Sequence, residues 1–482
     1  MQQYDMIIIG GGIVGCAVAR ELSKYELNIA VCEADADVAS GTTKANGGVI
    51  HAGDDPIPGT LKAFLNSKGC LMYPALSEKL GFRFLRRGSM VVGFNEDDLA
   101  VLIALLERGR LNGAPDLELI SGERIFELEP ETNRKVRYAL YTPHTGMVDP
   151  FEAAIAFAEN AVANGVQFYL SSPVTAIRKT DDGFAVTVPK GELNGKYIIN
   201  CAGVHADDVA RLIGADEFTI QARHGDMLIM DKNCAIKDVM TLYPVPKPDT
   251  KGVVLMSTVS GNILVGSTAV VTQKDDVASY RAGIDELITG ANKLIENLDI
   301  RKVIRTFAGN RAVVVGNNND FYIRPSQKVV GLFHVAGIQS PGIASAPAIA
   351  AYVAQMLKGC GVRMEEKENF IDTREAPVDF STLSTEEQDA LIHKNPAYGR
   401  IVCRCECVTE GEIIDAMRRN PQPATVDAIK RRTRAGMGRC QSGFCQQKVL
   451  SIIAKDLGCS PTEIKLGEKG SQIIYSKLKE GC

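Results

Sequence analysis

Tyr4-Asp5-Met6-Ile7-Ile8-Ile9 is a short apolar run that leads directly into Gly10-Gly11-Gly12-Ile13-Val14-Gly15. The run reads as a buried parallel strand, and apolar residues at helical spacing from Ile13 to Lys24 read as the helix that follows. A strand, a glycine turn and a helix in this order open a doubly wound α/β unit that holds a dinucleotide. Gly10 permits the tight turn, Gly12 lets the backbone approach a pyrophosphate, and Gly15 lets the helix pack close to the strand. The helix N-terminus then offers unpaired N–H groups to the phosphates. A second strand, Asn28-Ile29-Ala30-Val31-Cys32, ends at Glu33, 18 residues after Gly15. A carboxylate there accepts hydrogen bonds from both ribose hydroxyls and repels a 2′-phosphate. The fingerprint alone fits FAD and NAD equally.

The stretch Ser40-Gly41-Thr42-Thr43-Lys44-Ala45-Asn46-Gly47-Gly48-Val49-Ile50-His51-Ala52-Gly53 is small, polar and rich in glycine. Such a loop suits close backbone approach to a large flat cofactor. Through these residues, and on through Pro58-Gly59-Thr60-Leu61-Lys62-Ala63, the chain resembles the D-amino-acid-oxidase-like superfamily of FAD oxidoreductases. Within it the likeness is to FAD-dependent glycerol-3-phosphate dehydrogenases and L-2-hydroxyglutarate dehydrogenases. Two later segments carry the same likeness. Ile198-Ile199-Asn200-Cys201-Ala202-Gly203 resembles the strand and turn that pass close to the nucleotide. Gly331 to Gly342, with Gly337 in its loop and Ile343 after it, resembles the closing strand and loop beside the flavin. The helix expected over Ala344 to Leu357 would point its N-terminus at the pyrimidine side of the flavin, favouring negative charge there. The resemblance implies a cofactor set of Gly10, Gly12, Gly15, Glu33, Thr42, Thr43, Asn46, Gly47, Ala202, Gly203, Gly337, Gly342 and Ile343.

Met90–Phe94, Phe184–Val188, Met227–Met230, Val253–Met256 and Ile263–Val265 read as further strands. The resemblance implies a largely antiparallel sheet over the flavin face, built from about 80–140 and 215–305 and inserted into a Rossmann-like FAD-binding domain. Thr306-Phe307-Ala308-Gly309-Asn310-Arg311 resembles the family segment whose arginine faces an anionic substrate. A planar guanidinium suits phosphate or carboxylate through paired hydrogen bonds. Ala312 stands where many members have proline, and Met227 where relatives usually carry an aromatic residue. The competing reading of Arg311 is a surface salt bridge. His51 occupies the position of a histidine beside the isoalloxazine in related enzymes, where an imidazole accepts the substrate hydroxyl proton. Its competing reading is a structural histidine bonded to backbone. Arg223 and His224 are weaker candidates.

Beyond about residue 370 the composition changes. Asp372 to Arg400 is rich in acids and prolines and reads as a linker with one short helix near Thr385 to His393. Thr409 is a plausible N-cap for a helix over Glu410 to Arg419. Of thirteen cysteines, eight are scattered and five, Cys403, Cys405, Cys407, Cys440 and Cys445, share one short stretch. The spacing is C-x-C, 34 residues, then C-x4-C, whereas structural zinc sites more often use C-x2-C pairs. The pattern resembles the bacterioferritin-associated-ferredoxin-like 2Fe–2S domain, which is also appended to anaerobic glycerol-3-phosphate dehydrogenase large subunits. The resemblance makes Cys403, Cys405, Cys440 and Cys445 the cluster ligands, with zinc as the competing metal. Cys407 is extra, either a buried free thiol or an alternative ligand. Arg404, Arg434 and Arg439 are placed to offset the cluster's negative charge. The basic run Lys430-Arg431-Arg432-Thr433-Arg434 reads equally as a solvated helix face.

Over 482 residues these signals divide the chain into an FAD oxidoreductase over 1–370, a linker over 371–400, a small helical 2Fe–2S domain over 401–457 and a tail over 458–482. The net charge of −4 gives no reason to expect nucleic acid as a partner. No apolar run reaches the roughly 18 residues of a spanning helix, and the glycine-broken N-terminus lacks the form of a signal peptide. The expected setting is therefore cytoplasmic, peripheral to a membrane only through a partner. The expected activity is oxidation of glycerol 3-phosphate, with a 2-hydroxy acid such as L-2-hydroxyglutarate as the alternative substrate. Without a second nucleotide fingerprint, electrons are expected to leave through the cluster to a separate acceptor protein or quinone-linked subunit. The contrasting expectation is a non-catalytic electron relay.

Overall fold

The computed structural model describes residues 3–246, 252–296, 298–467 and 470–476. The end of the tail, 477–482, lies outside the described residues. Gln3–Ile9 is the central strand of an eight-stranded sheet and pairs in parallel with Ile29–Cys32 on one side and Gly191–Asn200 on the other. Gln167–Tyr169 extends the sheet beyond Ile29–Cys32, and Leu332–Ala336 pairs in parallel with the end of Gly191–Asn200. The strand alternation divides its residues between two cores. Met6 and Ile8 pack with the helices Ile13–Leu22, Pro150–Ala163 and Gly342–Gly359, while Ile7 and Ile9 pack with Phe184, Val186 and Leu332 on the opposite face. An apolar strand buried on both faces is what the opening run calls for. The expected strand at Phe184–Val188 forms, as Gly183–Val188, and belongs to this sheet as part of an antiparallel hairpin against Gly191–Asn200.

The second sheet is almost wholly antiparallel and is drawn from 89–142 and 220–314. Its long ribbon pairs Ile220–Met230 with Val303–Val314, so that Arg223 stands opposite Arg311 and Met227 opposite Phe307. One face packs on the helix Arg281–Leu294 through Leu228, Leu255 and Val265. The other face turns Met227, Tyr243, Val254 and Met256 toward the first domain.

The C-terminal module is small and mostly helical, with Glu410–Met417, Val426–Thr433 and Gln446–Leu457 around a core of Ile413, Met417, Ile429, Val449 and Ile453. Thr409 caps the first of these and forms a capping box with Glu412. This device satisfies two otherwise unpaired backbone N–H groups. The segment before the module is tied down. Asp372 pairs with Arg20 and Lys79, and Arg374 pairs with buried Glu159. Its helix, Thr385–Lys394, is capped by Ser384. After the last module helix the chain turns back, and the backbone N–H groups of Val426 and Asp427 donate to Lys465 and Leu466. The described part of the tail thus docks on the cluster module.

Candidate active site and cluster site

The glycine turn has no room for side chains. Gly10 has φ +108°, and a Cβ there would lie 2.4 Å from the Cys201 carbonyl oxygen. A Cβ on Gly15 would lie 1.9 Å from the Gly10 carbonyl oxygen. Gly10, Gly15, Cys201 and the adjoining Ala202–Gly203 turn are therefore one tightly packed unit. Glu33 is buried beside it, accepting from the Gly11 and Asp35 N–H groups at 2.6 and 2.8 Å. Burial pushes its carboxyl up to about 7. Thr43 Oγ1 accepts from the Ile13 N–H at 3.0 Å, so the 40–53 loop is stitched to the first turn of the helix. The dinucleotide cradle predicted from Gly10, Gly12, Gly15, Glu33 and Thr43 is one contiguous place.

Between the two sheets lies a cavity of about 260 Å³. Thr42, Asn46 and Gly47 of the loop, His51, Arg311, Gly342 and Ile343 all line it, so both predicted catalytic candidates share it with five of the residues predicted to hold the cofactor. Gly47 is needed there, because a Cβ would crowd Met256 and Met227 at 3.2 and 3.4 Å. Gly309 lets the ribbon touch Ala45 of the loop. Gly337, with φ +65°, turns the chain against Val314 and Asp320 and does not line the cavity. His51 Nδ1 lies 3.2 Å from the Tyr243 hydroxyl, which orients the imidazole toward the cavity wall.

Arg311 is not a surface salt bridge. Its guanidinium is buried, donating to the Ser267 hydroxyl and, at 3.0 Å, to the Thr268 carbonyl. Burial, with the charge of Arg223 adding to it, pushes Arg311 down to about 10. Arg223 lines the same cavity, and among the described residues neither guanidinium meets a carboxylate. His224, its sequence neighbour, points the other way on the alternating strand. It is buried with Nδ1 3.3 Å from the Asp276 carbonyl and Nε2 3.4 Å from Asp226. His334 is likewise structural, enclosed by Phe218 and Tyr322 and pushed down to about 4 by burial.

The four predicted cluster cysteines converge in the C-terminal module, and all described cysteines are free thiols. Cys405 and Cys440 lie with their sulfurs 3.6 Å apart. Cys445 donates to Cys403, and with the backbone N–H groups of Gly436, Glu406 and Cys405 this holds Cys403 down at about 6. Among the described residues no three His, Cys, Asp or Glu side chains gather round one point, as a mononuclear zinc site requires. The four thiols lie together, Cys405 against Cys440 and Cys403 against Cys445, and four cysteine thiolates are the ligand set of a 2Fe–2S cluster. The donor set therefore fits a 2Fe–2S group.

Known proteins agree with this geometry. The family model "FAD dependent oxidoreductase" matches residues 5–356, and "BFD-like [2Fe-2S] binding domain" matches residues 401–455. The chain belongs to the FAD-dependent oxidoreductases. A glycerol 3-phosphate dehydrogenase of Caloramator mitchellensis is 41% identical over 477 residues, which is 99% of either chain. An L-2-hydroxyglutarate dehydrogenase of Caenorhabditis elegans is 31% identical, covering 73% of this chain and 93% of that protein. The solved dithionite-reduced, FAD-bound L-α-glycerophosphate oxidase of Mycoplasma pneumoniae superposes with TM-score 0.74 at 30% identity, covering 78% of this chain and all of that one. FAD and a 2Fe–2S cluster are thus the cofactors of this oxidoreductase, and no described helix is long and apolar enough to cross a membrane.

The structure corrects two readings of the oxidoreductase's C-terminal module. The basic run is not a solvated face. Arg431 and Arg432 are buried and grip Asp37 of the nucleotide-binding domain, Arg432 through two hydrogen bonds of 2.7 and 2.9 Å and Arg431 through one of 3.0 Å. Arg434 pairs with buried Glu406, and Arg439 with Asp231. Of the three arginines expected to offset the cluster, only Arg404 is left without a carboxylate partner among the described residues. Cys407 is not buried. It is exposed, in a left-handed turn with φ 56°, its sulfur 3.8 Å from the Arg404 carbonyl. Tyr243 and Ser267 escaped sequence reasoning, since each comes from a distant strand with no local motif around it.

Proposed function

We propose that the enzyme oxidises glycerol 3-phosphate to dihydroxyacetone phosphate and passes the electrons through its 2Fe–2S cluster to a partner acceptor. The observation that carries this reading is the pair Arg223 and Arg311, two guanidiniums that meet no carboxylate among the described residues, lining one small cavity with His51. Two guanidiniums held together in a partly dry site repel each other, and a phosphate dianion removes that repulsion while filling both donor forks. The relative that matches over the whole length, cluster domain included, has the same substrate in its name.

Arg311 is held by Ser267 and Thr268, so its fork is aimed before the substrate arrives. Arg223 faces it across the ribbon and fixes the phosphate from the other side. This places the C2 hydroxyl within reach of His51, which takes the hydroxyl proton while Tyr243 keeps the ring in register. Bound FAD supplies the two-electron acceptor for the C2 hydrogen, and the apolar Met227–Met256 wall excludes water from that face. For the onward path, Arg305, Phe307, Gly309 and Arg311 share one face of the ribbon. Gly309 lines the cavity, Phe307 packs in the Met227–Met256 cluster, and Arg305 donates at 3.1 Å to Gln441, the neighbour of Cys440. Four residues of strand span only about 13 Å. Cys403, Cys405, Cys440 and Cys445 hold the cluster at the end of that line.

Substituting Arg223→Met tests the reading. Losing one charged hydrogen-bonding partner of the phosphate is expected to weaken substrate binding by about 1.5–3 kcal/mol, or roughly 10–100-fold in the concentration needed to bleach the flavin. An unchanged concentration dependence would remove the phosphate assignment.

A further inference from the structure

The cluster loops show the solvent a face that the intramolecular chemistry does not use. Phe444, one residue before Cys445, is 86% exposed. Cys405 reaches the surface, and so does Arg404 between the two ligands Cys403 and Cys405. Lys448, one turn into the helix that follows Cys445, is exposed as well. A lone exposed phenylalanine carries no message by itself. Here it stands beside a redox centre, and the charges around it are sorted by sign. The carboxylates tied to the ligand loops are spent internally, Glu406 on Lys232 and Arg434 and Asp231 on Arg439. The side chains of Arg404 and Lys448 have no hydrogen bond or ion pair among the described residues. The face is therefore an apolar point with unspent positive charge at its rim.

We propose that this face is the exit port for electrons and that its partner is a one-electron carrier protein with an acidic contact surface. The proposal rests on the cluster relay stated above and adds the place and the chemistry of the hand-over. An aromatic anchor in a small charged rim is the form of a weak, fast-exchanging electron-transfer interface. Complementary charge speeds such encounters without making them tight. The step is a bare electron transfer. The cluster loses one electron, the carrier gains one, no bond or proton moves, and two encounters clear the two electrons of each substrate.

The test uses holoenzyme reduced anaerobically with dithionite and freed of excess reductant, so that it does not depend on the substrate. It is mixed rapidly with acidic cytochrome b5 or, in parallel, basic cytochrome c, and haem reduction is followed at rising salt. Cytochrome b5 is expected to react faster, with a rate that falls about tenfold as salt screens the attraction. Lys448→Glu is expected to slow cytochrome b5 severalfold and to speed cytochrome c. Phe444→Ser is expected to slow both without changing the salt slope. EPR on each variant checks that the cluster is intact. Equal rates for the two haem proteins, or variants within twofold of the parent, would overturn the port, as would a soluble quinone being the sole acceptor that responds to Phe444→Ser. Bleaching of the flavin by glycerol 3-phosphate is measured separately. Its failure with a normal cytochrome b5 response would sink the substrate reading and leave the port standing.

Discussion

Asp37 makes the most deeply buried ion pairs between the two cofactor modules. Its carboxylate is fully buried and accepts from Arg432 at 2.7 and 2.9 Å and from Arg431 at 3.0 Å, with the Ser40 hydroxyl also on Arg431. Burial by itself would raise its pKa, yet the Arg432 and Arg431 charges outweigh that and hold it below the usual carboxylate range. Asp37→Ala leaves two arginines, their side chains only 7% and 3% exposed, without a counter-charge. Breaking a buried pair in this way costs about 3–5 kcal/mol. If the module relieves the strain by undocking, an opening of about 4 kcal/mol lower free energy is about a thousandfold more populated. Amide hydrogen exchange reads this locally. Peptides from the helix Val426–Thr433 and from 34–43 should exchange about a thousandfold faster, while peptides from the Arg281–Leu294 helix should not change. Replacing all three charged residues together, Asp37→Leu with Arg431→Met and Arg432→Met, should recover much of the protection, because the desolvation cost goes with the charges. Acceleration below tenfold in Asp37→Ala would refute the claim that this pair holds the modules together.

The remaining predictions concern the sites themselves. Glycerol 3-phosphate affinity should rise as pH passes the second phosphate ionisation near about 6, because the dianion fills both guanidinium forks. Titrating flavin bleaching against substrate from pH 5 to 8 shows this limb, and an affinity that does not change over that range would count against a phosphate dianion between Arg223 and Arg311. Phe307→Leu should leave flavin reduction by substrate intact while slowing the appearance of reduced cluster, as followed by rapid-freeze EPR. Equal rates would mean that electrons do not follow the ribbon face. Gly15→Ala places a Cβ 1.9 Å from the Gly10 carbonyl oxygen, so the purified protein should be colourless of flavin while keeping its iron; a normal flavin content would contradict the packing described for the turn.

What could be read from the chain follows from how local each signal is. The strand–turn–helix at 4–24 and the helix capped by Thr409 are built from neighbours in sequence, so residue type alone reveals them. The four cysteines carry a spacing that geometry converts directly into two thiol pairs. Other features arise only when distant segments meet. Arg223 looked weak because its partner Arg311 is 88 residues away and is brought opposite by antiparallel register. The period of two then sends neighbouring His224 to the far side, away from the cavity. The basic run was ambiguous because its counter-charge, Asp37, lies 394 residues upstream of Arg431. A helix rich in arginine reads as solvated until the surface that covers it is known. Phe184–Val188 was legible as a strand from its alternation, but its sheet was decided by the hairpin turn that returns it along Gly191–Asn200.

The most direct test of the central claim is one anaerobic experiment that watches both cofactors. Holoenzyme is mixed with glycerol 3-phosphate, and in a parallel cuvette with L-2-hydroxyglutarate, while flavin absorbance is recorded and samples are frozen for EPR. The account predicts rapid bleaching by glycerol 3-phosphate alone, followed by a 2Fe–2S signal. Bleaching by L-2-hydroxyglutarate alone, or a flavin that dithionite reduces and neither compound does, would contradict it.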